Sequence, residues 1–148
     1  MRECVTVRDR GPRWFPSLGW AAVEEVAVSD DDCLFCKIVR GELPSETVAT
    51  TEGIVAFRDI APRAPVHVLV VPERHVPSVD DLSEDDADLL SACFAMTRRV
   101  AREEGVETGY RVATNVGARG GQAIEHLHFH VLGGRQLGHI DSGSPPQD

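Results

Sequence analysis

The stretch that decides the fold is EHLHFHVLGG, residues 125–134, in which histidines alternate with apolar residues. His126, His128 and His130 take every second position, and they are three of the six histidines in the chain. Alternate side chains of a β-strand project from one face, so the imidazoles would share a face and the apolar residues between them would cover the other. On a helix, successive members would lie about 200° apart and could not converge. We therefore predict a strand over residues 124–132.

Further strands are predicted on both sides of this segment. GIVAFRDI (53–60), VHVLVVP (66–72) and GYRVATNV (109–116) are rich in β-branched residues and are bounded by Pro, Gly or Asn. A glycine-rich loop, GARGGQ (117–122), leads into the histidine strand. The strands come in pairs without regular β-α-β alternation, which favours an α+β fold with an antiparallel sheet.

Two helices are predicted. A short one over 33–39 ends before Gly41, and a long one over 82–105 begins at the capping residue Ser83. Acidic residues in its first turn and arginines towards its end match the helix dipole, and a broad apolar stripe runs along it. The two glutamates that precede Gly105 oppose the dipole, so we expect the last turn to fray.

Composition excludes several classes of protein. The chain has 148 residues, which suits one domain, and a formal net charge of −9, which disfavours binding to a nucleic-acid backbone. No apolar run reaches the roughly 20 residues of a membrane span. The first twenty residues lack the apolar core of a secretory signal, and a Cys-x-x-Cys pair suggests metal or redox chemistry more than a disulfide framework. We therefore predict a reduced, cytoplasmic protein.

The predicted domain occupies residues 31–138. Residues 1–30 lack periodicity and are expected to form a disordered or loosely packed extension. An alternative is that translation begins near Val26 or Val28. Residues 139–148 are expected to form a flexible tail.

The three histidines allow two kinds of chemistry. They could hold a metal together, as in some zinc hydrolases. Alternatively, a neutral imidazole could attack phosphorus, because imidazole titrates near neutral pH and can act as a nucleophile. The neighbouring glycine loop lets the backbone approach phosphate oxygens closely, which favours phosphate chemistry. A sheet face whose histidines merely meet solvent is the alternative without function.

The segment HLHFHVL resembles the signature of the histidine triad (HIT) family, His-φ-His-φ-His-φ-φ, where φ is apolar. NVGARGGQAIEHLHFHVLGGRQ resembles the Hint branch in particular, and the similarity continues upstream through AFRDIAPRAPVHVLVVPERH and FCKIVRGELP. It covers about residues 33–137. The resemblance implies a HIT-type fold: an antiparallel sheet of about five strands, one long helix and a short N-terminal helix.

The resemblance also implies an activity and catalytic residues. Hint-like proteins cleave at the α-phosphate of nucleoside 5′-phosphoramidates, in which an amine is linked to AMP or GMP. By this comparison His128 is the nucleophile that forms a nucleotidyl-histidine intermediate, and His130 contacts the phosphate and assists proton transfer. His67 supports the triad. A hydrogen-bonded strand histidine is the structural alternative for His67.

Substrate-binding residues follow from the same resemblance. Asn115 and Gln122 match positions that contact the phosphate, and Asp59 matches the acid that holds the ribose hydroxyls. Turn or loop roles are the alternatives for these three. The apolar walls of the base pocket, for which plain core packing is the alternative, are matched by Phe35, Ile38, Phe57 and Ile60.

Cys33 and Cys36 can be assigned once the family is considered. Prokaryotic family members with this pair complete a structural zinc site with a histidine after the second predicted strand and the first triad histidine. These match His75 and His126, and two cysteines with two histidines form a closed tetrahedral zinc site. The resemblance therefore implies structural zinc that ties the N-terminal helix to the histidine strand. A thioredoxin-like redox pair is the alternative, without a β-α-β setting to support it.

Two departures from the family pattern affect the expected specificity. Ala123 stands where many Hint-like proteins have a serine that handles the leaving group, and the segment after Gln136 lacks a tryptophan-bearing end. Alternatives are therefore dinucleoside polyphosphate hydrolysis, a zinc-dependent hydrolase that uses all three histidines, and a nucleotide-binding regulatory module with feeble turnover. The resemblance further implies a homodimer, with the long helix and the 109–116 strand near the two-fold axis.

Overall fold

The computed structural model describes residues 30–140. The predicted extension before residue 30 and the tail from residue 141 lie outside this range. Within it, five strands form one antiparallel sheet in the order β1-β2-β3-β5-β4. The strands are β1 (Thr47–Thr51), β2 (Ile54–Arg58), β3 (Val66–Pro72), β4 (Tyr110–Ala113) and β5 (Phe129–Gly133). The predicted α+β class and antiparallel sheet are confirmed.

One face of the sheet packs against the long helix α2 (Ala87–Glu103). Alternation along β3 and β5 assigns the side chains to this face, because every second residue points the same way. The core here includes the fully buried side chains of Val68, Val70, Val131 and Val100. Burial of such aliphatic side chains, about 1.5–3 kcal/mol each, holds α2 on the sheet.

The opposite face carries the short helix α1 (Leu34–Val39) and the histidines. Leu69 and Val71 of β3 belong to this face, together with Phe35 and Cys36 of α1. His67 alternates with them, and His130 of β5 lies directly across from Leu69. A helix of six residues is too short to be stable alone, so its position depends on these contacts.

Strand β1 and the start of α2 differ from the sequence prediction. Strand β1 was not predicted, because only Ala49 of its residues is buried and the segment lacks an alternating apolar pattern. Helix α2 begins at Ala87, after a 3-10 turn over Glu84–Asp86 that Ser83 and Asp86 close with a capping box. Ser83 is a capping residue as predicted, but it caps the 3-10 turn, and the N-cap of α2 itself is Asp86. The acids at the far end form ion pairs: Glu103 with Arg99 and Glu104 with Arg58.

The largest correction concerns the histidine strand, which was predicted over 124–132. Strand β5 begins only at Phe129, so His126, which lies in a bend over residues 124–126, and His128 both precede the ladder. The apolar residues between the histidines lie on the other face, as predicted: Leu127, Phe129 and Val131 all face the α2 core. The main chain leaves the ladder because the segment makes other bonds, including one from the Leu127 N–H to the Val76 carbonyl at 2.6 Å.

Gly134, directly after β5, lets the loop before β3 approach closely. Gly134 has φ +89°, and a Cβ there would lie 2.9 Å from Cβ of Pro65. A side chain at this position would push away the loop that leads into Val66 and His67. None of the helices over residues 30–140 is long and apolar enough to cross a membrane.

Candidate active site and metal centre

His128 is held by its own backbone neighbour. Its Nδ1 lies 2.6 Å from the carbonyl oxygen of His126, and a carbonyl can only accept, so Nδ1 carries the proton. In the neutral ring Nε2 then keeps a free electron pair. The residue is 6% exposed, and the Phe35 ring stands edge-on to it with centroids 5.1 Å apart. The arrangement presents one imidazole nitrogen as a nucleophile in a fixed orientation.

His67 and His130 form a second, directional hydrogen-bond chain. The backbone N–H of Arg63 donates to Nδ1 of His67 at 3.0 Å, so the proton of neutral His67 must be on Nε2. That Nε2–H donates to Nδ1 of His130 at 2.9 Å. His130 consequently carries its own proton on Nε2, and its ring centroid is 5.0 Å from that of His128. A donor nitrogen therefore stands beside a nucleophilic one.

Burial keeps these rings neutral. Desolvation lowers the pKa of His128. It also lowers the pKa of His67, although the nearby Asp59 carboxylate acts in the opposite direction. The pKa of His130 is lowered to about 4, mainly by burial and to a smaller extent by the neighbouring His128 and His67. At neutral pH the free site therefore contains uncharged imidazoles, which the proton assignments above require.

Asp59 lies beside the hydrogen-bonded pair His67 and His130. One carboxylate oxygen accepts the Ala61 backbone N–H at 2.8 Å, and the other is 3.4 Å from Nε2 of His67. Asp59, His67 and His130 bring three possible metal ligands together. However, the Arg63 N–H occupies Nδ1 of His67 and places a proton on Nε2, so the atom that would bind the metal already carries hydrogen. The cluster is suited to proton sharing.

Cys33, Cys36, His75 and His126 form a separate cluster whose ligand atoms all lie within 4.8 Å of one another. Nδ1 of His126 is 3.4 Å from each cysteine sulfur, and Nδ1 of His75 is 3.3 Å from both the Cys36 sulfur and Nδ1 of His126. Tetrahedral zinc with its usual bond lengths separates N from S by about 3.5 Å and N from N by about 3.3 Å. The four side chains thus fit a tetrahedral metal.

The chemistry of the donors agrees with their spacing. Nε2–H of His126 donates to the Pro72 carbonyl at 2.8 Å, which leaves Nδ1 free to bind a metal. Burial lowers the pKa of His126 to about 4, so its ring stays neutral. Burial, with the Cys33 thiol beside it, raises the pKa of Cys36 to about 12, so a bound cation would be needed to hold its thiolate.

The first triad histidine therefore has different neighbours from the other two. A single metal on all three histidines would need their nitrogens to converge, but Nδ1 of His126 faces the cysteines and Nδ1 of His128 faces a carbonyl. The predicted shared face thus applies to His128 and His130. The sequence pattern could not separate His126 from them because the separation depends on residues far away in the chain.

Gln122 and Asn115, which were predicted to contact the phosphate, have their side chains close to backbone groups. The side-chain amide of Gln122 is hydrogen-bonded to backbone groups of the protein itself. Its nitrogen donates to the carbonyls of Pro77 and Ile124, and its oxygen accepts the Gly117 N–H. The nitrogen of Asn115 is 3.4 Å from the Gly121 carbonyl. In this conformation both side chains brace the glycine loop.

The apolar residues expected to form the base pocket surround α1 and β2. Phe35 and Phe57 are buried edge-to-face at 5.5 Å, and Ile38 packs on them. Ile60 is 97% exposed, beyond the end of β2. A separate cavity of about 450 Å³ lies between the start of α1 and the glycine loop, where its lining includes Ala123, Asp32 and Glu125.

Several hydrogen-bonding partners of the site histidines could not be predicted from the pattern of side chains. The Arg63 N–H, the Pro72 carbonyl and the His126 carbonyl set the proton positions of three histidines, and any residue type supplies such groups. Thr114, whose hydroxyl donates to the His128 carbonyl at 2.8 Å, was also missed. Thr114 lies inside the predicted strand 109–116, and nothing in that pattern suggested a role for it.

The sequence is similar to proteins of known family and activity. The sequence profile of the HIT domain matches residues 40–137. The chain belongs to the HIT family. A purine nucleoside phosphoramidase of Escherichia coli K12 is 40% identical to this HIT protein over 109 residues, which is 73% of this chain and 92% of the relative.

Solved structures show the same relationship. A HIT family hydrolase from Legionella pneumophila has 43% sequence identity and a TM-score of 0.72, covering 75% of this chain and 99% of its own. A histidine triad protein from Clostridium difficile has 41% identity and a TM-score of 0.71, covering 74% and 96%. This protein is therefore an enzyme of the HIT hydrolase type, as predicted.

Proposed function

We propose that this HIT protein hydrolyses purine nucleoside 5′-phosphoramidates through a covalent nucleotidyl-histidine intermediate on Nε2 of His128. The observation that carries the proposal is the 2.6 Å hydrogen bond from Nδ1 of His128 to the His126 carbonyl, which frees Nε2 for attack. The similarity to a purine nucleoside phosphoramidase supports the choice of substrate.

The proton positions give a balanced sequence of steps. Nε2 of His128 attacks the α-phosphorus, the P–N bond breaks, and the Nε2–H of His130 protonates the departing amine. His67 can share its proton with Nδ1 of His130 across the 2.9 Å bond, so the negative charge left by this transfer is spread over the two rings and lies beside the cationic His128 adduct until water returns the proton. Water then attacks the phosphorus, returns a proton to the relay and releases the nucleotide and neutral His128.

The nucleotide is proposed to lie along the α1 and β2 side of the histidines. Asp59, whose carboxylate is 19% exposed, would accept hydrogen bonds from the ribose hydroxyls. Phe35, Phe57, Ile38 and the exposed Ile60 would contact the base. Apolar contact of this kind suits any purine. Asn115 and Gln122 would contact the phosphate after exchanging their bonds to the glycine loop.

The four-residue cluster of Cys33, Cys36, His75 and His126 is proposed to hold structural zinc. A metal in a closed tetrahedral site supplies cross-linking rather than a reacting group. It would connect α1 to the chain that carries His128, because Cys36 lies on α1 and His126 precedes the nucleophile by two residues. Reduced thiols are required, which supports the cytoplasm as the proposed location.

We further propose a homodimer. Among residues 30–140, β4 is an edge strand of the sheet, and Phe94 on α2 is 44% exposed. A second copy of the chain would cover both features. Light scattering after size exclusion gives the mass directly, and a monomer at micromolar concentration would contradict this part of the proposal.

Turnover of an adenosine 5′-phosphoramidate of a fluorescent amine tests the function. Wild type and His128→Ala are compared with and without a brief treatment with chelator, and His139→Ala, which changes an exposed histidine, is the matched control. Chelator-resistant activity that only His128→Ala abolishes is expected.

Other outcomes point to the alternatives. Activity lost on chelation and restored by metal would instead show a catalytic metal. Tight nucleotide binding without turnover would favour a regulatory module, and cleavage of dinucleoside polyphosphates alone would favour the other substrate class.

A further inference from the structure

Thr114 is the residue on which we base a further inference, which rests on the proposed function of His128. Its hydroxyl donates to the carbonyl oxygen of His128 at 2.8 Å, although the two residues are 14 apart in the chain. We propose that Thr114 is a positioning residue for the nucleophile: its hydroxyl fixes the His128 peptide group and thereby aims the imidazole at the phosphorus.

The sheet itself does not hold the His128 carbonyl. The register between β4 and β5 ends at the pair Ala113 and His130, and β3 pairs with β5 no further than Phe129. His128 therefore lies just beyond the last paired residue. Thr114 follows β4 directly, and its side chain provides a hydrogen bond at the position where the backbone ladder has stopped.

The other bonds of this segment act on different atoms. The Leu127 N–H is held by Val76, and the ring of His128 is held by the His126 carbonyl. These contacts set the chain on one side of His128 and the rotation of its ring. The Thr114 bond sets the peptide plane on the other side, between His128 and Phe129. With both planes fixed, the direction of Nε2 is fixed before substrate arrives.

Small errors in this direction are costly. A displacement of about 1 Å at a reacting atom can slow a reaction by up to about a hundredfold. Loss of one hydroxyl leaves the other constraints in place, so the expected loss is smaller. For Thr114→Val, which keeps the shape of the side chain, we expect kcat to fall about tenfold while KM changes less than about twofold.

Two further variants separate the hydrogen bond from packing and stability. Thr114→Ser keeps the hydroxyl and should keep kcat within about threefold of wild type. Thr97→Val is the matched control, because Thr97 also donates to a backbone carbonyl at 2.8 Å, that of Phe94, but lies on α2 at the opposite face of the sheet. It should lose some stability and keep its kcat. Bound zinc should be unchanged in all three.

A second readout does not depend on turnover. The Nδ1–H of His128, hydrogen-bonded and buried, should give a slowly exchanging imidazole signal in nitrogen-15 NMR spectra of the wild type. In Thr114→Val this signal should shift and exchange faster, and in Thr114→Ser it should stay. If Thr114→Val does not fold by circular dichroism, Thr114→Ala is used for the same comparison.

Each result bears on one of the two proposals. A wild-type protein without turnover would overturn the proposed function, and the NMR comparison would still test Thr114. Wild-type kcat together with an unchanged His128 signal in Thr114→Val would overturn the positioning role. Equal losses in Thr114→Val and Thr114→Ser would also overturn it, because packing and not the hydroxyl would then be responsible.

Discussion

Replacement of His130 by asparagine should make the protein less sensitive to acid. The free imidazole has a pKa of 6.5, and burial lowers that of His130 to about 4. Between these values the unfolded chain takes up a proton that the folded site rejects, so stability must fall as the pH drops from 6.5 towards 4. Asparagine has no such proton, and it can still accept the hydrogen bond from His67.

The size of the effect follows from the shift. For one group with these two pKa values, the free energy of unfolding at pH 5 would be lower than at neutral pH by about 2 kcal/mol. His130 is partly exposed, so screening by water reduces this to roughly 1 kcal/mol. His67, whose pKa is also lowered by burial, adds in the same direction in both proteins.

Urea unfolding at about pH 7.5 and about pH 5, with zinc saturating, measures the effect in wild type and in His130→Asn. The wild type should lose roughly 1 kcal/mol more than the variant between the two conditions. The four-residue metal cluster is the same in both proteins, so its own acid sensitivity cancels. Equal losses would refute the buried neutral state of His130 and, with it, the assigned protons of the relay.

Four other changes test separate features. Gly134→Ala should lower the free energy of unfolding by about 2 kcal/mol, measured in urea, because its φ is positive and the new Cβ would lie 2.9 Å from Pro65. Phe35→Ala should cost about 3 kcal/mol in the same assay, with Phe35→Leu as the milder control. Cys36→Ser should bring bound zinc well below one per chain by atomic emission, and unchanged zinc would contradict the assigned cluster. Ala123→Ser should raise phosphoramidate turnover, and equal or lower rates would show that the missing hydroxyl is not limiting.

The sequence allowed the class of fold to be predicted because β3 is rich in β-branched residues and residues 126–131, which lead into β5, alternate between histidine and apolar residues. Every second residue of VHVLVVP and FHVLG faces α2, and both strands lie in the middle of the sheet. β1 is an edge strand whose side chains are mostly exposed, so its residues carry little apolar pattern. The pattern alone therefore could not identify β1, although it did identify the other edge strand, β4.

For the site, the residue types were predictable and the directions of their hydrogens were not. The partners of His67, His126 and His128 are backbone groups of Arg63, Pro72 and His126 itself. Backbone groups leave no trace in residue identity, and their approach is decided by tertiary packing. The resemblance grouped Cys33 with His126, whereas spacing alone gave no reason to join residues 93 apart.

That separation has a consequence for how the protein is made. Cys36 and His126 are 90 residues apart, and bringing the ends of so long a loop together costs chain entropy of about 4–5 kcal/mol. At translation rates of about 5–20 residues per second, Cys36 is synthesised, and leaves the ribosome, roughly 5–20 seconds before His126 does. During that interval the two thiols are open to oxidants, whereas in the finished protein they are buried. Full coordination of a metal therefore has to come late in biosynthesis, after the chain has closed on itself.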